Sequence, residues 1–207
     1  MMPANKQVVL ATSNRGKLQE FSELLAPSGL QLLSQGELGV SECPEPYTTF
    51  VENALAKARH ASRETGLAAL ADDSGLCVPA LGGAPGTFSA RYAAQGGQEP
   101  SDEANNRYLL QQLQGQPQRQ AYFVTVLVFL RSPSDPHPII CDGVWHGEIA
   151  QQAFGEHGFG YDPLFYLRHL DKTAAQLSAQ EKNRLSHRGN ALRKLLKVLT
   201  PETVKSV

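Results

Sequence analysis

Apolar residues follow two rhythms along this chain. Continuous short runs, Val8-Val9-Leu10-Ala11 and Leu67-Ala68-Ala69-Leu70, read as buried strands, the first reaching residue 12. Residues 30–33 predict a second short strand. Residues 121–130, rich in Val, Phe and Leu, predict a long strand, and residues 139–149 another. The proline-bounded turn at 133–138 would join these two as an antiparallel hairpin. Helical spacing takes over at 17–26, where Leu18, Phe21, Leu24 and Leu25 share a face until Pro27, Ser28 and Gly29 stop it. A second helix begins near Thr49, where Thr49-Phe50-Val51-Glu52 has the spacing of a capping box. Phe50, Ala54, Leu55, Ala58 and Ala61 supply its buried side, and Asn53, Lys57, His60 and Glu64 lie on another face.

Between these elements lie polar or glycine-rich stretches. Residues 34–47 read as a loop, residues 82–100 as a glycine-rich loop around Arg91-Tyr92, and residues 155–162 as a glycine-rich aromatic loop. Residues 101–113 predict a helix capped by Ser101, and residues 178–199 a largely helical close with Ser178 and Glu181 as a second capping box. The order β-α-β-α-β, loop and helix, hairpin, closing helix predicts an α/β fold. Its sheet would be mixed, with helices on its faces, because a hairpin inserts antiparallel strands. No internal repeat or linker divides the 207 residues, so a single domain over 1–207 is expected.

Composition narrows the function. Hydrophobic residues make up 41%, enough for a core, and the net charge of −1 offers no field to draw in a nucleic-acid polymer or an anionic membrane. Cys43, Cys77 and Cys141 form no CxxC pair, which argues against zinc and disulfide frameworks. The first residues, 1–7, are polar, and the apolar run after them is too short for a secretory segment or a membrane span. A cytoplasmic setting is the expectation.

Four stretches could carry chemistry. Ala71-Asp72-Asp73-Ser74-Gly75 ends an apolar run with two carboxylates and a hydroxyl. It reads either as a polar turn or as a place to hold a divalent cation and orient a water. Successive strand residues face opposite ways, so both aspartates can point in one direction only if the chain bends, which Gly75 permits. Thr12-Ser13-Asn14-Arg15-Gly16-Lys17 sits at a strand-to-helix turn. There Asn14 is an ordinary N-cap, or the free N–H groups and Lys17 receive a phosphate. It is not a Walker A loop: Ala11 stands where glycine is needed and Leu18 where Ser or Thr is. In Gly158-Phe159-Gly160-Tyr161-Asp162-Pro163 the aromatics either enter the core or offer a ring for stacking on a base. Lys182 with Ser186-His187-Arg188-Gly189 is either a solvated helix face or a second basic cluster. Lys182 and His187 lie roughly 140° apart on a regular helix. They share one pocket only if long side chains reach around or the helix breaks near Ser186, which could cap a fresh helix. Glu45, in the loop before the second helix, joins the aspartates as a candidate for Mg²⁺ if that loop folds toward them.

Taken together, ATSNRGK, TFVENALAKARHA, ADDSGL, LGGAPGTFSARY, GFGYDPLF and SHRGNAL, in this order over residues 8–199, resemble the inosine triphosphate pyrophosphatase family. The resemblance implies an elongated mixed β-sheet with flanking helices, two lobes around a central cleft, and a homodimer. It implies Mg²⁺-dependent hydrolysis of dITP, ITP and XTP to the monophosphate and pyrophosphate. It further implies that Thr12, Ser13, Asn14, Arg15, Gly16 and Lys17 bind the triphosphate. Glu45 and Asp73 would hold the metal with Asp72 close by, Glu42 being the lesser candidate, and Asp73 would also accept the proton of the attacking water. Lys57 and Ser74 would contact substrate. Phe159, Gly160, Tyr161 and Asp162 would form the base and sugar pocket, with Phe159 on the purine. Lys182, His187 and Arg188 would reach the base edge.

Overall fold

The structure, a computed structural model, describes residues 7–199. The polar start of the chain, residues 1–6, lies outside the described residues. The elements run β1 (Gln7–Leu10), α1 (Arg15–Leu25), β2 (Gln31–Ser34), α2 (Phe50–Thr65), β3 (Ala68–Cys77), α3 (Asp102–Gln112), β4 (Gln120–Leu130), β5 (Ile139–Ile149), β6 (Phe165–Leu167), β7 (Lys172–Thr173), α4 (Ala179–Leu185) and α5 (His187–Leu199). One seven-stranded mixed sheet has the order β2-β1-β3-β4-β5-β6-β7. β1 pairs parallel with β2 and β3, and β6 pairs antiparallel with β5 and β7. The fold is therefore α/β with a mixed sheet.

The chain divides into two compact units. Among the described residues, the first takes 7–73, 125–143 and 188–199; the second takes 74–124 and 144–187. In the first unit, β1 shows why its apolar run is unbroken: a parallel strand covered on both faces has no polar side. Val8 and Leu10 pack with Phe21 and Leu25 of α1 and with Ala191, Leu192 and Leu195 of α5. Val9 and Ala11 turn the other way, onto Ala54, Ala58 and Ala61 of α2. Alanines along that face let α2 lie close to the strands. Its N-terminus is capped by the Thr49 hydroxyl accepting from the Glu52 N–H, and its C-terminus ends on Gly66 at φ +70°, a conformation glycine adopts without strain. In the second unit, Leu76, Phe123, Trp145 and Phe165 of the sheet form a core with Leu109 and Leu113 at the C-terminal end of α3.

Several expectations are corrected here. The first strand ends at Leu10, so Thr12 lies beyond it. β3 does not stop or bend at the aspartates but runs unbroken from Ala68 to Cys77. The glycine-rich stretch read as a loop coils into short 3₁₀ segments at Pro79–Leu81 and Gly86–Gly96. The latter is held by Asn105, whose side chain accepts from the Ala93 N–H at 2.8 Å and donates to the Ala90 carbonyl at 3.1 Å. Asn53, placed on a face other than the buried side of α2, is buried, whereas Phe50, placed on the buried side, is only half-buried. The short strands β6 and β7 were not predicted. The closing helix does break at Ser186, whose backbone is extended (φ −66°, ψ 160°).

Candidate active site

The first unit carries a compact network of charges. The turn after β1 is built as its residues suggest: the Asn14 side chain accepts from the Lys17 N–H at 3.0 Å, and the Thr12 hydroxyl accepts from the Asn14 N–H at 3.2 Å. Ser13 accepts from the Gln35 side-chain amide at 3.0 Å. Arg15 is exposed and Gly16 half-buried in the first turn of α1, where N–H groups and the positive dipole end point outward. Lys17 extends from that turn to Asp72, its Nζ lying 3.0 Å from Oδ2 and 3.2 Å from Oδ1. Arg188, first turn of α5, donates from Nη1 to Glu20 at 2.8 Å, and its Nε lies 3.5 Å from Asp72.

Asp73, next along β3, faces a different set of partners. Lys57 of α2 donates to its Oδ1 at 3.0 Å and to Glu45 Oε1 at 2.8 Å. Asn53, one turn before Lys57, donates to Asp73 Oδ2 at 3.2 Å and accepts from the Tyr47 N–H at 3.1 Å. The 34–47 loop thus folds so that the Glu45 and Asp73 carboxylates converge on one ammonium group.

The two aspartates differ in proton affinity. Burial alone would raise the Asp72 carboxyl, but Lys17, Arg188 and Lys57 bring it well below the ordinary value. For Asp73 burial prevails, with the Glu45 charge adding to it against Lys57, and its carboxyl is raised. Burial pulls Lys17 down despite Asp72; for Lys57 burial is outweighed by Asp72, Asp73 and Glu45, and its ammonium is raised.

The second unit carries the aromatic loop. Phe159 is half-buried, with Lys182 Nζ 4.6 Å from its ring centroid. Asp162 Oδ2 accepts from Lys182 at 2.6 Å and from the Phe159 N–H at 2.9 Å. Gly158, at φ +79°, stands where any Cβ would collide with Asp162. Tyr161 is buried and donates to the Ser89 carbonyl at 2.8 Å; burial first, then Tyr92 and Asp102, push its hydroxyl up. His187 is buried against Phe123, their rings stacked at 4.9 Å, and Ser74 is half-buried in β3.

The sequence model of the Ham1 family matches residues 8–198. This chain belongs to the Ham1 family. A Bordetella pertussis protein named dITP/XTP pyrophosphatase is 60% identical to this Ham1 protein over 194 residues, 94% of this chain and 91% of its own length. One of the same name from Nitrosomonas europaea is 57% identical over 202 residues, 97% of this chain and 98% of its own. A solved HAM1 protein from Coxiella burnetii superposes with a TM-score of 0.87 at 46% identity, covering 98% of this chain and all of its own (100%).

Within this Ham1 protein the expected residues group by unit: residues 12–17, Glu45, Lys57, Asp72, Asp73 and Arg188 in the first, and Ser74, residues 159–162, Lys182 and His187 in the second. Arg188, expected at a base edge, has its guanidinium directed at Glu20 and Asp72. Sequence reasoning missed Glu20 and did not credit Asn53 with a role. Signals existed for both: Glu20 is an acid three residues after Lys17 on one helical face, and Asn53 precedes Lys57 by four. It also missed Asp102 and Asn106 of α3, which bond the Gly160 backbone.

Proposed function

We propose that this Ham1-family chain hydrolyses dITP, ITP and XTP to the nucleoside monophosphate and pyrophosphate, removing deaminated purines from the nucleotide pool. The reading rests most on one observation: Glu45 and Asp73 converge on the Lys57 ammonium beside the Lys17–Asp72 pair. Its similarity to proteins named dITP/XTP pyrophosphatase supports it.

Mg²⁺ fits this donor set. Two hard carboxylates already embrace a cation, the Lys57 ammonium, and four named carboxylates (Glu20, Glu45, Asp72, Asp73) face three named cations (Lys17, Lys57, Arg188). Mg²⁺ usually takes one or two carboxylates together with substrate phosphates and water, and Glu45 and Asp73 offer two. Glu45 and Asp73 would hold it, with Asp72 close by along β3. When bound, the ion supplies charge neutralisation on the phosphates and the leaving pyrophosphate.

The chain's own residues carry the remaining work. Asn53 and Lys57 fix the Asp73 carboxylate in place. Asp73 accepts a proton from the attacking water as the water oxygen bonds to the α-phosphorus. The bond from that phosphorus to the bridging oxygen breaks, and pyrophosphate leaves with its electron pair. Lys17, at the positive end of α1, meets phosphate charge there. In the second unit Phe159 stacks on the purine, and donors on Lys182 and His187 meet a C6 keto oxygen, where adenine carries an amino donor. A buried donor left facing another donor costs about 1–3 kcal/mol, which favours hypoxanthine and xanthine over adenine. A cytoplasmic setting suits three free cysteines. A homodimer follows from the family resemblance, and light scattering on the purified chain tests it. The decisive experiment is a turnover panel of ITP, dITP, XTP, ATP and GTP with Mg²⁺, assayed for pyrophosphate; equal rates on ATP and ITP would refute the reading.

A further inference from the structure

The aromatic loop is held from outside itself. Gly160 adopts φ +61°, so its two peptide groups turn away from the path a strand or helix would impose. Both are taken by α3. The Gly160 N–H donates to Asp102 Oδ2 at 2.7 Å, and the Gly160 carbonyl accepts from Asn106 Nδ2 at 2.8 Å. Asp102 and Asn106 are four residues apart and so share a face of the helix. α3 is itself fixed: Ser101 caps it by accepting from the Ala104 N–H at 3.1 Å, and Asn105 binds the 3₁₀ segment through Ala93 and Ala90. Asp102 also lies in the first turn, where the helix dipole favours a carboxylate.

We infer that Asp102 and Asn106 are positioning residues that set the Phe159 ring through the Gly160 backbone. The inference rests on the assignment of Phe159 to the purine. Phe159 is bracketed by two anchors. On one side its own N–H is held by Asp162, which in turn holds Lys182 over the ring. On the other, the next peptide is clamped by α3. Within the loop, the Asp162 N–H also donates to the Phe159 carbonyl, but at 3.3 Å this turn bond is long, and a glycine offers little steric resistance to rotation of the peptides on either side of it. The clamp therefore removes the conformations in which Phe159 turns away, and the free enzyme carries the ring ready for a base. Ordering a loop before binding lowers the cost of binding without touching the chemical step.

The test uses the full chain with Asp102→Ala, Asp102→Asn and Asn106→Leu. The asparagine keeps an acceptor for the Gly160 N–H. The leucine removes the Asn106 donor together with its buried carbonyl oxygen, which has no hydrogen-bond partner among the described residues. Asp102→Ala should raise KM for dITP roughly three- to tenfold with kcat within twofold, the scale of one partly exposed charge-assisted hydrogen bond. Inhibition by inorganic triphosphate, which has no base, should stay within twofold of the parent. Asp102→Asn should recover most of the loss, and Asn106→Leu should raise KM in the same direction. Amide exchange read by mass spectrometry should speed up in the peptide spanning residues 158–162 of Asp102→Ala and Asn106→Leu, with the rest of the second unit unchanged. Unchanged KM in both variants, parallel weakening of triphosphate inhibition, an asparagine variant no better than the alanine one, or unchanged loop exchange each overturns the inference. A parent enzyme that releases no pyrophosphate from dITP sinks the functional reading instead, and the exchange measurement, which needs no substrate, still decides whether α3 holds the loop.

Discussion

Lys57→Met isolates the charge balance on which the proposed metal site depends. Methionine keeps a stem of the same length, with sulfur in place of one methylene, and removes the ammonium. That ammonium bridges Glu45 and Asp73, and the side chains of Lys57, Glu45 and Asp73 are 12%, 29% and 8% exposed. Removing one partner of a buried ion pair costs about 3–5 kcal/mol, because the other charge is left without compensation. Glu45 keeps part of its hydration and so contributes less than Asp73. A loss of about 3 kcal/mol is expected without Mg²⁺, a large share of the roughly 5–15 kcal/mol typical of a folded protein. Urea unfolding measures it, with midpoint and slope read together so that a change in cooperativity shows. Mg²⁺ should then restore more stability to the variant than it adds to the parent, since in the variant the ion enters between two carboxylates that no longer share an ammonium. At a concentration a hundredfold above its Kd, a ligand specific for the folded state adds about 2.7 kcal/mol. A variant within 1 kcal/mol of the parent without metal, or an equal response of both proteins to Mg²⁺, refutes the reasoning.

Other expectations follow from the same geometry. Asp73→Asn should leave nucleotide binding largely intact and slow pyrophosphate release by on the order of a hundredfold or more, the range of a lost general base; near-parental turnover would remove Asp73 from that role. Phe159→Ala should raise KM for dITP roughly tenfold while kcat falls less, and the reverse pattern would make Phe159 a packing residue. Asp135, in the turn between β4 and β5, accepts from Arg131 Nε and Nη2 at 2.7 Å each and from the Arg131 and His137 N–H groups at 3.0 Å each. Hydrogen bonds from Arg131 hold its carboxyl below the ordinary 3.8. A carboxyl lowered by folding adds stability that is complete above its unfolded value and is lost as pH falls toward its folded one. The stability gap between parent and Asp135→Asn should therefore be constant from neutral pH to about pH 5 and narrow below about pH 4, as unfolding at several pH values would show.

What could be read from the sequence was whatever local pattern decides. The apolar run of β1, the helical stripe of α1 and the cap of α2 depend on neighbours in the chain, and each forms close to where expected. The face carrying Asn53 and Lys57 was also legible as distinct from the apolar one, but not that it meets Asp73. The reason is physical: a buried polar side chain is tolerable once its partners are present, and those partners come from distant positions. The same holds for β3. Its aspartates looked like the end of a strand, yet Lys17, Lys57 and Arg188 neutralise them and the strand continues. β6 and β7, three and two residues long, carry too little pattern to announce themselves and exist through pairing with β5 and each other. Asp102 and Asn106 look like ordinary exposed helix residues because their partner is the backbone of Gly160.

The unbroken strand gives adjacent aspartates different work. With side chains alternating along β3, Asp72 and Asp73 take different hydrogen-bond partners, although the charges of Lys17 and Lys57 act on both. Asp72 meets Lys17 with both oxygens and has Arg188 nearby, so its charge is fully engaged and its proton affinity low. Asp73 meets one ammonium that it must share with Glu45, and an amide from Asn53, and its affinity for a proton is higher. Two like groups separated in this way are the pattern by which acid–base roles are divided at neutral pH. A bend at Gly75 would have turned both carboxylates toward one point and made them competitors for the same cation. The continuous strand instead leaves Asp72 to order Lys17 and Arg188, and leaves Asp73 with one ammonium that it shares with Glu45. The proposal that Asp73 is the base draws support from the period of a β-strand together with where two lysines and an arginine reach it.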